Sequence, residues 1–192
     1  MKNTILASLL IFSVLACKKE VKKTEVKPID ASNTTQEIVE NTEALTIILS
    51  PKSKSSVTGK VEFVESNGSI QMTAVLKGLS EGSHAIHIHE KSDCSSDDGK
   101  SSGGHWNPTG QPHGKWGAES GYHKGDIGNF SVKNEGEETV VEFNTDQWCI
   151  GCGDESKDIL GKGIIVHQGV DDFTSQPSGA AGSRVSCGGI IE

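Results

Sequence analysis

The chain has 192 residues and carries 26 acidic against 18 basic side chains, a net charge of −8. From Glu43 onward the excess sharpens to 21 acidic against 12 basic residues, a charge of −9, which argues against a nucleic-acid partner. Those last 150 residues suit one domain of ordinary size with a buried core.

Residues 1–17 start with Lys2, run through an apolar stretch from Ile5 to Ala16 and end at Cys17, the pattern of a cleaved export signal. The stretch is too short to span a bilayer. Its Val14-Leu15-Ala16-Cys17 end resembles a bacterial lipoprotein signal, which implies a lipid on Cys17, a membrane anchor and a location facing the periplasm or cell surface. Residues 18–42 hold no aromatic side chain, only mixed charge with Thr, Asn and Ser, and read as a disordered tether. Its 25 residues would reach on the order of 25–30 Å from the anchor.

Residues 43–192 form the folded domain. Apolar residues recur there at every second position: Val57, Val61 and Phe63; Ile70, Met72, Ala74 and Leu76; Val141 and Phe143; Ile164 and Val166. That period predicts short, half-buried strands. No stretch keeps a helical period, and 23 glycines fall in turn-like segments such as SNGS and SGAAGS. The expected class is all-β, an antiparallel sandwich or barrel with long functional loops.

Along Ser83-His84-Ala85-Ile86-His87-Ile88-His89-Glu90, strand alternation puts Ile86 and Ile88 on one face and His87 and His89 on the other. His84 shares parity with the isoleucines and reads as a buried, hydrogen-bonded structural histidine. Later, Ile164-Ile165-Val166-His167 sets His167 opposite in parity to Ile164 and Val166. Nitrogen-only ligation by His87, His89 and His167 suits copper. His105, His113, His123 and Asp126 lie in one long Gly-rich loop, and three imidazoles with one carboxylate make a full tetrahedral set for structural zinc.

With Cys17 set aside, Cys94, Cys149, Cys152 and Cys187 remain, an even number in an exported chain. Disulfides are expected, and sequence alone allows three connectivities.

The segments HIHE, GGHWNP, HKGD followed by GN, VHQGVDD and GAAGSRVSCG resemble the signature segments of copper/zinc superoxide dismutases over about residues 43–192. The resemblance implies an eight-stranded Greek-key β-barrel with long metal-binding and substrate-channel loops. It implies one copper ion on His87, His89, His105 and His167, and one zinc ion on His105, His113, His123 and Asp126. His105 would then bridge both metals, and Asp171 would link the imidazoles of His87 and His113. It implies a Cys94–Cys187 disulfide, a catalytic role for Arg184 in guiding superoxide, and a proton-carrying role for His105. Cys149 and Cys152 depart from the family pattern; their CIGC is expected to be a structural disulfide, with a redox motif or an auxiliary metal site as alternatives. Ser178 stands where many members have threonine. Lys100 and Lys124 flank the ligand loops and could add to the local positive field.

The implied activity is dismutation of superoxide to O2 and hydrogen peroxide. A copper- or zinc-buffering or chaperone lipoprotein without turnover is the alternative, and the sequence leaves monomer and homodimer open.

Overall fold

The structure, a computed structural model, describes residues 43–192. The expected signal, the lipidated Cys17 and the tether of residues 18–42 lie outside the described residues. The strands in chain order are β1 Glu43–Pro51, β2 Thr58–Ser66, β3 Ser69–Lys77, β4 Gly82–His89, β5 Gly128–Val132, β6 Thr139–Thr145, β7 Gly163–His167 and β8 Arg184–Gly189. Their hydrogen-bonded order is β5-β4-β7-β8-β1-β2-β3-β6, antiparallel throughout.

Local chemistry sets the register. Asn67 and Gly68 both take positive φ, 52° and 75°, which makes the two-residue type I′ turn that suits strand twist, and Ser66 pairs with Ser69 across it. That turn aligns Phe63 with Met72, and β6 continues the row with Phe143. Val61, Phe63, Ile70, Met72, Ala74 and Leu76 are all fully buried, as their alternation requires. Each of the large ones contributes about 1.5–3 kcal/mol by leaving water.

The neighbours β3–β6, β4–β7 and β8–β1 are not consecutive in the chain, so long connections cross the barrel ends in Greek-key fashion. The sheet nearly closes on itself, with its two edges at β5 and β6. The connections that leave β4 and β7, residues 90–127 and 168–183, matter for function. They lie over the outer face of those strands, so His87 and His89, though outward in parity, are 0% and 1% exposed.

The structure forms two disulfides, Cys94–Cys187 and Cys149–Cys152. The first joins residues 93 apart and ties the β4–β5 connection to β8. In the chain-entropy account it stabilises the fold by about 4–5 kcal/mol, whereas the three-residue spacing of the second gives on the order of 2 kcal/mol. The second is local: Asp158 also accepts backbone N–H groups from Gly151, Gly153 and Leu160 around it.

Candidate metal centre

β4 carries His87 and His89 on its outer face, and β7 pairs with it so that Ile165 stands opposite His87 and His167 ends the strand nearby. The connection after β4 then folds back along it. Trp106 N–H donates to Ile88 O at 2.9 Å and Glu90 N–H to Gly104 O at 3.0 Å, which bridges His105 to His89. Ring centroids consequently lie 4.1 Å apart for His87 and His105, 4.9 Å for His87 and His167, and 5.0 Å for His89 and His105. One nitrogen from each of these four side chains lies within 4.8 Å of the others.

Hydrogen bonds select which nitrogen faces inward. His89 Nδ1–H donates to Gly103 O at 3.0 Å, His167 Nδ1–H to Gly182 O at 3.5 Å, and His87 Nε2–H to Asp171 Oδ2 at 2.9 Å. The lone pairs left over converge: Nε2 of His89 and of His167 stand 3.4 Å apart. His87 Nδ1 and His105 Nε2 are buried without any hydrogen-bond partner. Orphaned buried nitrogens are costly, and four lone pairs aimed at one point fit a bound cation. An all-imidazole set suits copper.

A second cluster shares one member with the first. Asp126 Oδ1 is 2.8 Å from His105 Nδ1 and 3.3 Å from His123 Nδ1, and its Oδ2 is 3.0 Å from His113 Nδ1. The carboxylate is fixed from behind, since Oδ2 accepts the N–H groups of Gly114 and His123 at 3.1 and 2.8 Å. His113 Nδ1 and His123 Nδ1 are again buried orphans. Three imidazole nitrogens and a carboxylate match a closed zinc set. His105 belongs to both groups, with Nδ1 turned to the second and Nε2 to the first.

Asp171 joins the clusters from outside, taking His87 Nε2–H on Oδ2 and His113 Nε2–H on Oδ1, each at 2.9 Å. Asn129 grips its backbone at both ends, and Phe173 N–H donates to Oδ1. Gly179 passes so close, at φ 66°, that a side-chain carbon there would collide with this carboxylate. Asp171→Asn presents an NH2 group to one of two N–H donors and should weaken metal retention about 10–100-fold, read by chelator competition. Parental retention would remove Asp171 from the design.

Burial pushes His105 down to about 4, with Asp126 opposing and His87 assisting, and it also lowers His89 and His167. His113 goes the other way: burial lowers it, but Asp126 and Asp171 outweigh that and lift it to about 9. The carboxyls of Asp126 and Asp171 are held below the usual range by hydrogen bonds from these imidazoles, which overcome burial. In the metal-free protein, histidines with depressed folded values favour the unfolded state as pH falls from 6.5 towards 4. The stability from His113 is complete below 6.5 and is lost as pH rises through 9. Metal-free protein should therefore melt highest near neutrality and lose stability steeply on the acid side. A melting temperature that climbs between pH 6 and about 4.5 would contradict this account.

An open cavity of about 930 Å³ reaches the first cluster, with His89, His105 and His167 in its floor and Arg184 and Lys100 in its wall. Arg184 is the cross-strand partner of His167, which places the guanidinium beside the cluster. Ser178 also lines the cavity. Lys124 does not: its amine turns to Gln147, and its carbonyl accepts the Trp148 indole N–H at 2.9 Å. His84 is 3% exposed, bonded to His167 O and Ser80 O, as its parity indicated. Gln176, absent from the sequence reading, clamps His113 by accepting its N–H and donating to its carbonyl, both at 2.9 Å.

Residues 57–190 match the family model described as Copper/zinc superoxide dismutase (SODC). The chain is 35% identical over 139 residues to the Cu-Zn superoxide dismutase 2 of Aquifex aeolicus (strain VF5), covering 70% of this chain and 79% of that protein. It is 35% identical over 135 residues to a Cu-Zn superoxide dismutase of Caulobacter vibrioides, covering 69% and 77% respectively. The crystal structure of a double mutant of a SOD-like protein from Bacillus subtilis superposes with a TM-score of 0.68 at 31% identity, covering 77% of this chain and 97% of that one.

Proposed function

The chain belongs to the copper/zinc superoxide dismutase family, and from that premise we propose that it is an exported, membrane-anchored dismutase that turns superoxide and protons into O2 and hydrogen peroxide. The observation that carries this reading is one imidazole, His105, shared by two buried donor sets at the floor of a cavity walled by Arg184. His87, His89, His105 and His167 would hold copper, and His105, His113, His123 and Asp126 would hold zinc. Copper supplies one-electron exchange with superoxide, and zinc fills a closed structural position.

The chain's own groups supply the rest. Arg184 attracts and docks the anion against the repulsion of a −9 domain. When its Nε2 is free of copper, His105 would hold a proton there and pass it to the departing peroxide, which takes its second proton from solvent, while Nδ1 stays on the Asp126 side. Lys100 adds little, being well exposed and 3.0 Å from the Asp98 carboxylate. A metal-buffering protein would have no use for Arg184 in the cavity wall or for a shared imidazole.

Metal analysis of the full chain alongside superoxide consumption tests the reading. One copper and one zinc per chain with rapid consumption is the expected result; full loading without consumption would favour the buffer. Mass spectrometry of the membrane-extracted protein should find Cys17 lipidated, and an unmodified Cys17 would overturn the anchor.

A further inference from the structure

We infer that Ser102 is the positioning residue that aims Arg184 into the cavity, an inference that rests on the anion-docking role given to Arg184 above. The connection after β4 makes a single 3-10 turn at Lys100–Ser102, and its two serines point opposite ways. Ser101 Oγ donates outward to Asp93 O at 2.8 Å. Ser102 is fully buried, and its Oγ donates to Gly99 O at 2.8 Å while accepting from Arg184 Nη1 at 3.1 Å.

Arg184 Nη1 also donates to Gly99 O, at 2.9 Å. One nitrogen is thus held by two acceptors on one turn, and the structure gives Nε and Nη2 no partner among the described residues. The arginine stem is fixed as well. Gly99 sits at φ 70°, and a side-chain carbon there would come within 3.3 Å of Arg184 Cβ and 3.4 Å of Cδ, so the bare glycine is the floor on which the stem lies.

The turn itself has little freedom. Ser102 N–H donates to Gly99 O at 3.3 Å, and Ser102 O accepts Lys91 N–H at 2.9 Å. Further along, the Cys94–Cys187 disulfide ties the same connection to β8, which begins at Arg184. A buried hydroxyl on a pinned turn therefore orders a long side chain that would otherwise sample many rotamers. Ordering it in advance removes that entropy loss from the moment an anion arrives. Arginine offers its donors as a fixed fork, so holding one nitrogen orients the others.

The metal-loaded full chain, with variants at these positions, tests the inference. Ser102→Ala should lower kcat/KM for superoxide about three- to tenfold, the range of one ordinary hydrogen bond, because the Gly99 anchor of the guanidinium remains. The inhibition constant for inorganic phosphate, used as a probe anion, should rise by a similar factor. Metal content should stay parental, and so should the slowing by added salt, because the guanidinium charge is still present. Ser102→Thr keeps the hydroxyl and should restore the rate. In an Arg184→Ile background, Ser102→Ala should change nothing further.

Each contrary result is informative. Parental kinetics for Ser102→Ala beside a slowed Arg184→Ile would overturn the role of Ser102 alone. Full activity in Arg184→Ile would overturn the reading beneath it. Loss of metal in Ser102→Ala, or an equal fall in both backgrounds, would make Ser102 a structural residue and not a positioning one.

Discussion

His105→Ala is expected to damage both metal sites at once and to reduce superoxide consumption more than about 100-fold, beyond the loss typical of an outer partner. The first donor set would fall to His87, His89 and His167, and the second to His113, His123 and Asp126. Neither remainder is complete, since a structural zinc site needs four ligands and the shared imidazole is also the group proposed to move a proton. His113→Ala is the informative contrast. It removes a member of the second set and disturbs the first only through Asp171, which would still accept from His87. Titration with copper and zinc against a chelator should show both affinities reduced in His105→Ala but mainly zinc reduced in His113→Ala. Equal copper loss in the two variants would remove the special place given to His105.

Much of this site was readable because strands have a period of two. The parity of His87 and His89 against Ile86 and Ile88 separated ligands from core, and the same parity marked His84 as structural before any contact was known. Burial of the ligand face was not readable, because the cover comes from residues 90–127 and 168–183, which follow the ligand strands directly but have no periodic pattern that says where they fold back. Disulfide pairing was open on sequence alone, and only the family resemblance singled out Cys94 and Cys187.

The supporting residues were hidden for a related reason. Ser102 meets Arg184 across 82 positions, Gln176 meets His113 across 63, and Asn129 meets Asp171 across 42, and no local pattern encodes such contacts. Lys124 is a loop case: it flanks the ligand loop and could have added to the local field or been a solvated charge, and its amine turns to Gln147. Neighbourhood in sequence is a poor guide to which way a loop side chain points, whereas in a strand it is a good one.

Arg184→Ile should lower the superoxide rate constant by about tenfold or more, within the range attributed to electrostatic steering, with copper and zinc content unchanged. The protein has one arginine among 18 basic residues, so a guanidinium at this position is not a general surface preference. The substrate is a small anion approaching a domain of charge −9, and the wider field opposes it. A local positive focus at the cavity must outweigh that repulsion, and Arg184 is half-buried beside His167, where screening by water is reduced. Burial lowers its pKa, but Asp98 and Glu90 oppose the effect, and an arginine stays charged at any working pH. Raising salt should slow the parent and affect the variant less, because screening acts on the attraction that was removed. Isoleucine keeps the apolar stem that lies over Gly99 while deleting the charge, so the barrel and both donor sets should persist. A variant that held both metals and kept the parental rate at low ionic strength would show that capture does not depend on Arg184, and the approach of superoxide would then have to be explained by the imidazole cluster alone.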